Sequence, residues 1–224
     1  MSQTTPVQSM NDPLSMAEVR ATLEAFLPLY RWRRPAYQWT MLNQLYRLWR
    51  PKDRRVLDVG GGTGVIAEAI SRLFPVDRVV SVDVAQRFAP GLSIETVAYD
   101  GEGLPFADGE FDCVTLNNVL HHVPVAARVG LMRECRRVCG GGVAYIKDHL
   151  SASGLDDLRL AALDLAGNLP FSGMVQARYL TEAEWRSLAA ESGYEIAERS
   201  GAHYRSGPSE LLFPNRLEIS MRWM

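Results

Sequence analysis

Apolar positions divide the chain before any motif does. From Leu14-Ser15-Met16-Ala17-Glu18 onward, Val19, Leu23, Phe26 and Leu27 recur at steps of three and four, which predicts a helix. Pro28 and Pro35 bracket a break, and Met41, Leu42, Leu45, Leu48 and Trp49 then mark a second amphipathic helix that ends before Pro51. Residues 1–12 are polar and aperiodic and read as a frayed tail. From Val56 the pattern changes to short apolar runs alternating with helical periodicity, the signature of a parallel sheet covered on both faces. Strands are expected at 55–59, 78–83, 94–98, 111–117 and 142–148, with helices at 64–74, 125–138 and 181–192. The interval 84–93, with Pro90 and Gly91, is a poor helix. Leu150 to Arg178 interrupts the alternation with one amphipathic helix carrying Leu155, Leu158, Ala162 and Leu165, followed by Gly167-Asn168-Leu169-Pro170-Phe171-Ser172-Gly173. Tyr194 to Arg199 and Leu217 to Trp223 read as two late strands joined by a turn-rich stretch.

The expected organisation is a tail and helical cap over 1–54, then an α/β domain over 55–224 whose insertion at 150–178 forms a lid on the carboxyl edge of the sheet. With 224 residues and 47% hydrophobic content, a single domain of this size buries a substantial core. A net charge of −2 gives no general attraction to nucleic acid, and no apolar run approaches the roughly 18 residues that a membrane span needs. Cys113, Cys135 and Cys139 have no metal-ligand spacing and cannot all pair, so they read as small buried apolar groups in a reducing compartment, and no metal is expected. These features predict a cytoplasmic globular protein, monomer or homodimer, with no membrane span and no nucleic-acid partner.

The candidate chemistry begins at Val56-Leu57-Asp58-Val59-Gly60-Gly61-Gly62-Thr63-Gly64, an apolar strand running into a glycine cluster and a helix. Glycines at 60, 62 and 64 let the backbone turn sharply and approach a ligand at a helix N-terminus. A dinucleotide fingerprint needs G-x-G-x-x-G, but the sixth position counted from Gly60 is Val65. Asp83 ends the strand Arg78-Val79-Val80-Ser81-Val82-Asp83, nineteen residues after Gly64, where a carboxylate accepts from both ribose hydroxyls of a nucleoside. By itself Asp83 fits NAD equally well.

The glycine run resembles the D-x-G-x-G-x-G loop of class I S-adenosylmethionine-dependent methyltransferases. Tyr99-Asp100-Gly101-Glu102-Gly103-Leu104-Pro105-Phe106-Ala107-Asp108-Gly109-Glu110-Phe111-Asp112 closely resembles the G-D-A-E-x-L-P-F-x-D-x-x-F-D segment of the ubiquinone-biosynthesis-like "type 11" methyltransferases, with Tyr99 for the usual Gly and Gly101 for Ala. Asn117-Asn118-Val119-Leu120-His121-His122 matches the pattern that follows the fourth strand in that family, so the similarity covers about residues 55–150. It implies a doubly wound, seven-stranded, mostly parallel sheet with its last strand antiparallel. It also implies S-adenosylmethionine as cofactor, S-adenosylhomocysteine as product, and a cofactor site built from Asp58, Gly60, Gly62, Gly64, Asp83, Val84, Asp100, Gly101 and Asn117. Asp100 and Gly101 then hold adenine, and Asn117 sits by the sulfonium.

Two histidines at strand ends are the candidate bases. His121 lies where several small-molecule O-methyltransferases carry one, and His149 closes Val143-Ala144-Tyr145-Ile146-Lys147-Asp148-His149 at the same carboxyl edge. Tyr30, Arg34 and Tyr37, from an aromatic and arginine-rich stretch, together with His122 and Phe171, are candidates for the acceptor wall. The expected reaction is O-methylation of a hydroxyl or phenol on a small molecule, with N- or C-methylation as alternatives on the same fold. From another class, a cofactor-binding module or non-methylating cyclase would keep Asp83 and Asp100 but lack an acceptor pocket with a base.

Overall fold

The computed structural model describes residues 13–168, 177–201 and 203–224. The tail at 1–12, and Phe171 with most of the glycine- and proline-containing end of the insertion, lie outside the described residues. Chain order runs α1 (Met16–Glu24), a 3-10 turn (Pro28–Arg31), α2 (Ala36–Leu48), β1 (Arg55–Val59), α3 (Val65–Leu73), β2 (Arg78–Asp83), β3 (Glu95–Ala98), β4 (Cys113–Asn117) and α4 (Val125–Val138). It continues through β5 (Val143–His149), α5 (Gly154–Asn168), α6 (Glu182–Glu191), β6 (Ile196–Gly201), α7 (Pro208–Leu212) and β7 (Glu218–Trp223).

The strands form one seven-stranded sheet in the order β3-β2-β1-β4-β5-β7-β6. β1 to β5 are parallel, while β7 runs antiparallel to both β5 and β6. Alternation along each strand separates two cores. Val56, Val79, Cys113, Val143 and Tyr145 pack with α1, α2 and α3. Their neighbours Leu57, Val80, Val114 and Ala144 pack with α4 and α6 on the opposite face. The cap helices therefore share the core of the sheet.

Side-chain hydrogen bonds fasten the cap to the far end of the chain. Gln44 Oε1 accepts from Ser220 Oγ at 3.0 Å, Gln44 Nε2 donates to the Gly201 carbonyl, and Arg222 Nη1 donates to the Leu48 carbonyl at 2.8 Å. The start of α1 is set by Ser15 and Glu18, which form a reciprocal capping box.

Some boundaries differ from the sequence expectation for identifiable reasons. β4 begins at Cys113 rather than Phe111, because the Asp112 carboxylate turns back to accept from the amides of Arg54 and Arg55 at 3.0 and 2.8 Å. Tyr194 belongs to the close of α6, its amide donating to the Ala189 carbonyl at 2.8 Å, so β6 starts at Ile196. The turn-rich stretch before β7 holds the short helix α7, with Pro208 at its first turn where no amide donor is needed.

One charged residue inside the α3 core face carries a stability prediction. The fully buried Glu68 carboxylate accepts from Ser93 N and Ser93 Oγ, both at 2.8 Å, and from Arg72 Nε at 2.7 Å, tying α3 to the segment that enters β3. Glu68→Leu keeps the bulk and removes the charged acceptor of these hydrogen bonds, so denaturant unfolding is expected to report a loss of about 2 kcal/mol. Glu68→Gln is expected to lose about half as much, because one acceptor remains.

Candidate active site

The β1 turn is built on a buried carboxylate. Asp58 accepts from Thr115 Oγ1 at 2.7 Å, Ser81 Oγ at 3.1 Å and Asn117 Nδ2 at 3.2 Å, residues of the two strands that flank β1. Burial pushes the Asp58 carboxyl pKa up, and the hydrogen bonds from Thr115, Ser81 and Asn117 oppose that rise without cancelling it. Beyond it the backbone takes positive φ at Gly60, Gly62 and Gly64, with values of 72°, 59° and 74°. This is the left-handed region that glycine enters without strain. The Gly62 amide then donates to Asp83 Oδ2 at 2.7 Å, which fixes the loop over the tip of β2, while Ala85 N donates to Asp83 Oδ1 at 2.7 Å.

A cavity of about 660 Å³ opens at this edge. Its walls include Gly60, Gly62, Asp83, Val84, Gly101 and Asn117, six of the cofactor residues expected from the sequence. A β-carbon at Gly62 would meet nothing within 4 Å, so the cavity reaches the backbone of the glycine loop. The Asn117 side chain is oriented by its bond to Asp58, and its Oδ1 is buried with no hydrogen-bond partner. An orphaned acceptor beside a paired carboxylate suits a ligand that brings an ammonium and two ribose hydroxyls. On these observations the cavity fits S-adenosylmethionine.

The remaining expected cofactor residues are off the wall. Asp58 is the internal anchor just described, and Gly64 caps α3 where a β-carbon would stand 2.7 Å from Leu92 Cδ1 and 3.3 Å from Phe88 Cδ1. Asp100 is exposed and closes an Asx turn by accepting from Glu102 N at 2.9 Å, which presents the neighbouring Gly101 and Tyr99 to the cavity. Tyr99 replaces the glycine usual at that point; burial, then the nearby Cys135 and the Asp83 and Asp100 carboxylates, push its phenol up to about 12.

The histidines divide differently from the expectation. His121 and His149 are 1% and 5% exposed and do not line the cavity, whereas His122 does. His121 Nδ1 hydrogen-bonds Asp148, whose other oxygen accepts from Leu120 N at 3.0 Å. Burial lowers the His121 pKa, but the charge and hydrogen bond of Asp148, followed by Asp164, outweigh it and raise the imidazole to about 9. His149 is lowered by burial and by the Lys147 cation. The His121 and His122 rings lie 4.0 Å apart, so the buried imidazole backs the one on the wall.

Of the acceptor candidates, Tyr30 is buried in the α1–α2 core and Arg34 is exposed, and neither reaches the cavity. Tyr37 is adjacent to it: its hydroxyl accepts from Lys147 Nζ at 2.5 Å and from the cavity residue Asn118 at 2.6 Å. Lys147 also pairs with Glu218 at 3.1 Å. Asn118 is the one non-glycine residue with positive φ among the described residues, at 57°. Sequence reasoning missed Asn118 as a wall residue; its only signal is that asparagine tolerates this conformation. Among the described residues of the insertion, none lines the cavity.

Comparison with known proteins decides the family. The methyltransferase domain family matches residues 30–199. The chain belongs to that family. It is an S-adenosylmethionine-dependent methyltransferase. The methyltransferase is 30% identical over 192 residues to the ubiquinone/menaquinone biosynthesis C-methyltransferase UbiE of Pseudomonas putida, covering 67% of this chain and 72% of that protein. It is 31% identical over 155 residues to the acetylserotonin O-methyltransferase of Mus musculus, covering 63% and 39% of the two chains. In fold, the methyltransferase is similar to a SAM-dependent methyltransferase from Archaeoglobus fulgidus, with a TM-score of 0.60, 15% identity, and 89% and 98% of the chains covered. No helix among the described residues is long and apolar enough to cross a membrane.

Proposed function

We propose that the methyltransferase transfers the methyl group to the oxygen of a hydroxyl or phenol on a small molecule, with His122 as general base. The observation that carries this reading is that His122 lines the same cavity as Asp83 and Asn117. The base role given by the sequence to His121 and His149 passes to it, since both of those imidazoles turn toward buried carboxylates. A volume of about 660 Å³ suits a cofactor and a compact acceptor.

Bound S-adenosylmethionine supplies a methyl group already activated by the sulfonium. The protein's part is to hold, orient and deprotonate. Asp83 would hold the ribose, Gly101 and Tyr99 the adenine, and Asn117 Oδ1 the ammonium. Val119, Val123 and Leu131 give that wall an apolar lining that excludes water. Asn118, held by Tyr37 and Lys147, sets the acceptor side, and His122 takes the hydroxyl proton as the oxygen becomes the nucleophile.

C-methylation of a phenol ring is the second reading, favoured by the likeness to a protein named as a C-methyltransferase. It begins with the same proton removal, and the product decides between them. Incubation with methyl-labelled cofactor and a panel of phenols, followed by mass spectrometry and NMR of the product, distinguishes an O-methyl from a C-methyl group. His122→Ala is expected to lower kcat about a hundredfold at unchanged S-adenosylhomocysteine affinity. An unchanged kcat on the same acceptor removes His122 as base and points to an unprotonated nitrogen acceptor, and binding without transfer to any acceptor points to a non-methylating module.

A further inference from the structure

The sequence offers no metal-ligand spacing, yet the fold brings two imidazoles and a carboxylate from three separate elements to one buried point. His121 follows β4, His149 ends β5, and Asp164 stands on α5. One donor atom of each lies within 4.8 Å of the others. His121 Nε2 is 3.3 Å from Asp164 Oδ2, and His149 Nε2 is 3.5 Å from Asp164 Oδ1. Donors about 2.0–2.2 Å from a tetrahedral zinc ion stand roughly 3.3 Å from one another, close to the distance of each imidazole from one of the two Asp164 oxygens.

The hydrogen bonding also points to a missing partner. His121 Nε2 is buried and makes no hydrogen bond, despite its closeness to Asp164. Histidine nitrogens inside a protein are ordinarily satisfied. The other sides of the donors are held as those of metal ligands are. Asp148 takes Nδ1 of His121, and the Tyr179 hydroxyl donates to Asp164 Oδ2 at 2.6 Å, leaving the second Asp164 oxygen directed at His149. Asp148 and Asp164 place two carboxylates in this buried region, which a divalent cation would offset.

We propose that His121, His149 and Asp164 bind a divalent first-row transition ion, of which zinc suits the donor set best, with Asp148 and Tyr179 orienting the ligands. The ion braces α5 against the ends of β4 and β5, and through His121 it fixes the ring on which His122 rests. This site is independent of the acceptor reading, because it takes its donors from residues that do not line the cavity.

The test uses the full chain, produced without a histidine tag and stripped with a chelator, then titrated with cobalt(II) and with zinc. The expected results are one ion per chain by elemental analysis, visible cobalt absorption in the tetrahedral range, and a rise in Tm with zinc. Asp164→Asn and His149→Gln should each weaken cobalt binding more than tenfold, and Tyr179→Phe, which removes only a supporting bond, should weaken it severalfold. His122→Ala should bind cobalt as the unaltered chain does. Circular dichroism of each chelator-treated variant shows whether it is folded, and Tyr179→Phe preserves the test if a ligand variant is not. Failure of the unaltered chain to take up either ion overturns the proposal, as does equal cobalt affinity in the folded ligand variants.

Discussion

Asp83→Ala is expected to weaken S-adenosylhomocysteine binding by about a hundredfold to ten-thousandfold while leaving the chain folded. The Asp83 carboxylate is 4% exposed and forms part of the cavity wall at the tip of β2. Its oxygens already hold the glycine loop through Gly62 N and the next turn through Ala85 N, each at 2.7 Å, so the group is positioned before any ligand arrives. A ligand bringing two ribose hydroxyls adds two charge-assisted hydrogen bonds, each worth about 1.5–3 kcal/mol, and every 1.4 kcal/mol is about tenfold in affinity. Calorimetry gives the affinity, and a melt of the free variant separates lost contacts from a lost fold. An affinity within about threefold of the unaltered chain would mean that the ribose lies elsewhere.

Gly61→Ala is expected to lower Tm by about 6–12 °C, from a destabilisation of about 3 kcal/mol in a chain of this size. A β-carbon at Gly61 would stand 1.9 Å from Ser81 Oγ and 2.5 Å from Asp58 Oδ2. Both side chains are buried and hydrogen-bonded to each other at 3.1 Å, so neither has room to withdraw. Gly62→Ala is the informative contrast. Its β-carbon meets nothing within 4 Å, so only the cost of φ at +59° remains, about 1–2 kcal/mol. Adding Ser81→Ala to Gly61→Ala should restore part of the stability by removing the nearest clash, a coupling that a double-mutant cycle measures. If Gly61→Ala melts within about 2 °C of the unaltered chain, the loop is not seated on Ser81 and Asp58.

Gly61 also shows what the sequence could and could not reveal. The motif directed attention to Gly60, Gly62 and Gly64, whose positive φ follows from the turn, whereas the glycine pressed hardest by its neighbours is the one between them. Its constraint comes from Ser81, twenty residues away in sequence and adjacent only through the pairing of β1 with β2. Local patterns were legible where local physics decides them: the apolar runs of β1, β2 and β5, and α4 at Val125–Val138 as its periodicity predicts. The place of Asp83 followed from its position at a strand end, and that of Gly101 and Asn117 in the cavity wall from the resemblance of their segments to the methyltransferase family. The orientation of adjacent histidines did not. His121 and His122 are neighbours in the same motif, yet one turns inward to Asp148 and the other lines the cavity, because the partners that decide this lie on β5 and α5. Lys147 gave a weak signal as a cation within an apolar strand, but its pairing with Glu218 and Tyr37, 71 and 110 positions away, had no trace in the local pattern.

The place of β7 between β5 and β6 has a consequence for how the chain acquires its structure. β7 is the latest of the strands in sequence, yet it occupies an interior position of the sheet, and Trp223 near its end is completely buried. During synthesis, β5 therefore waits with an unpaired edge and β6 has no sheet to join until residues 218–223 have left the ribosome. The bonds from α2 to Ser220 and Arg222 close over the same interval, joining positions 174 to 176 apart. Contacts of that span form late and slow the final step of folding. The exposed β5 edge is then the point at which a nascent chain is open to pairing with another copy or to capture by a chaperone.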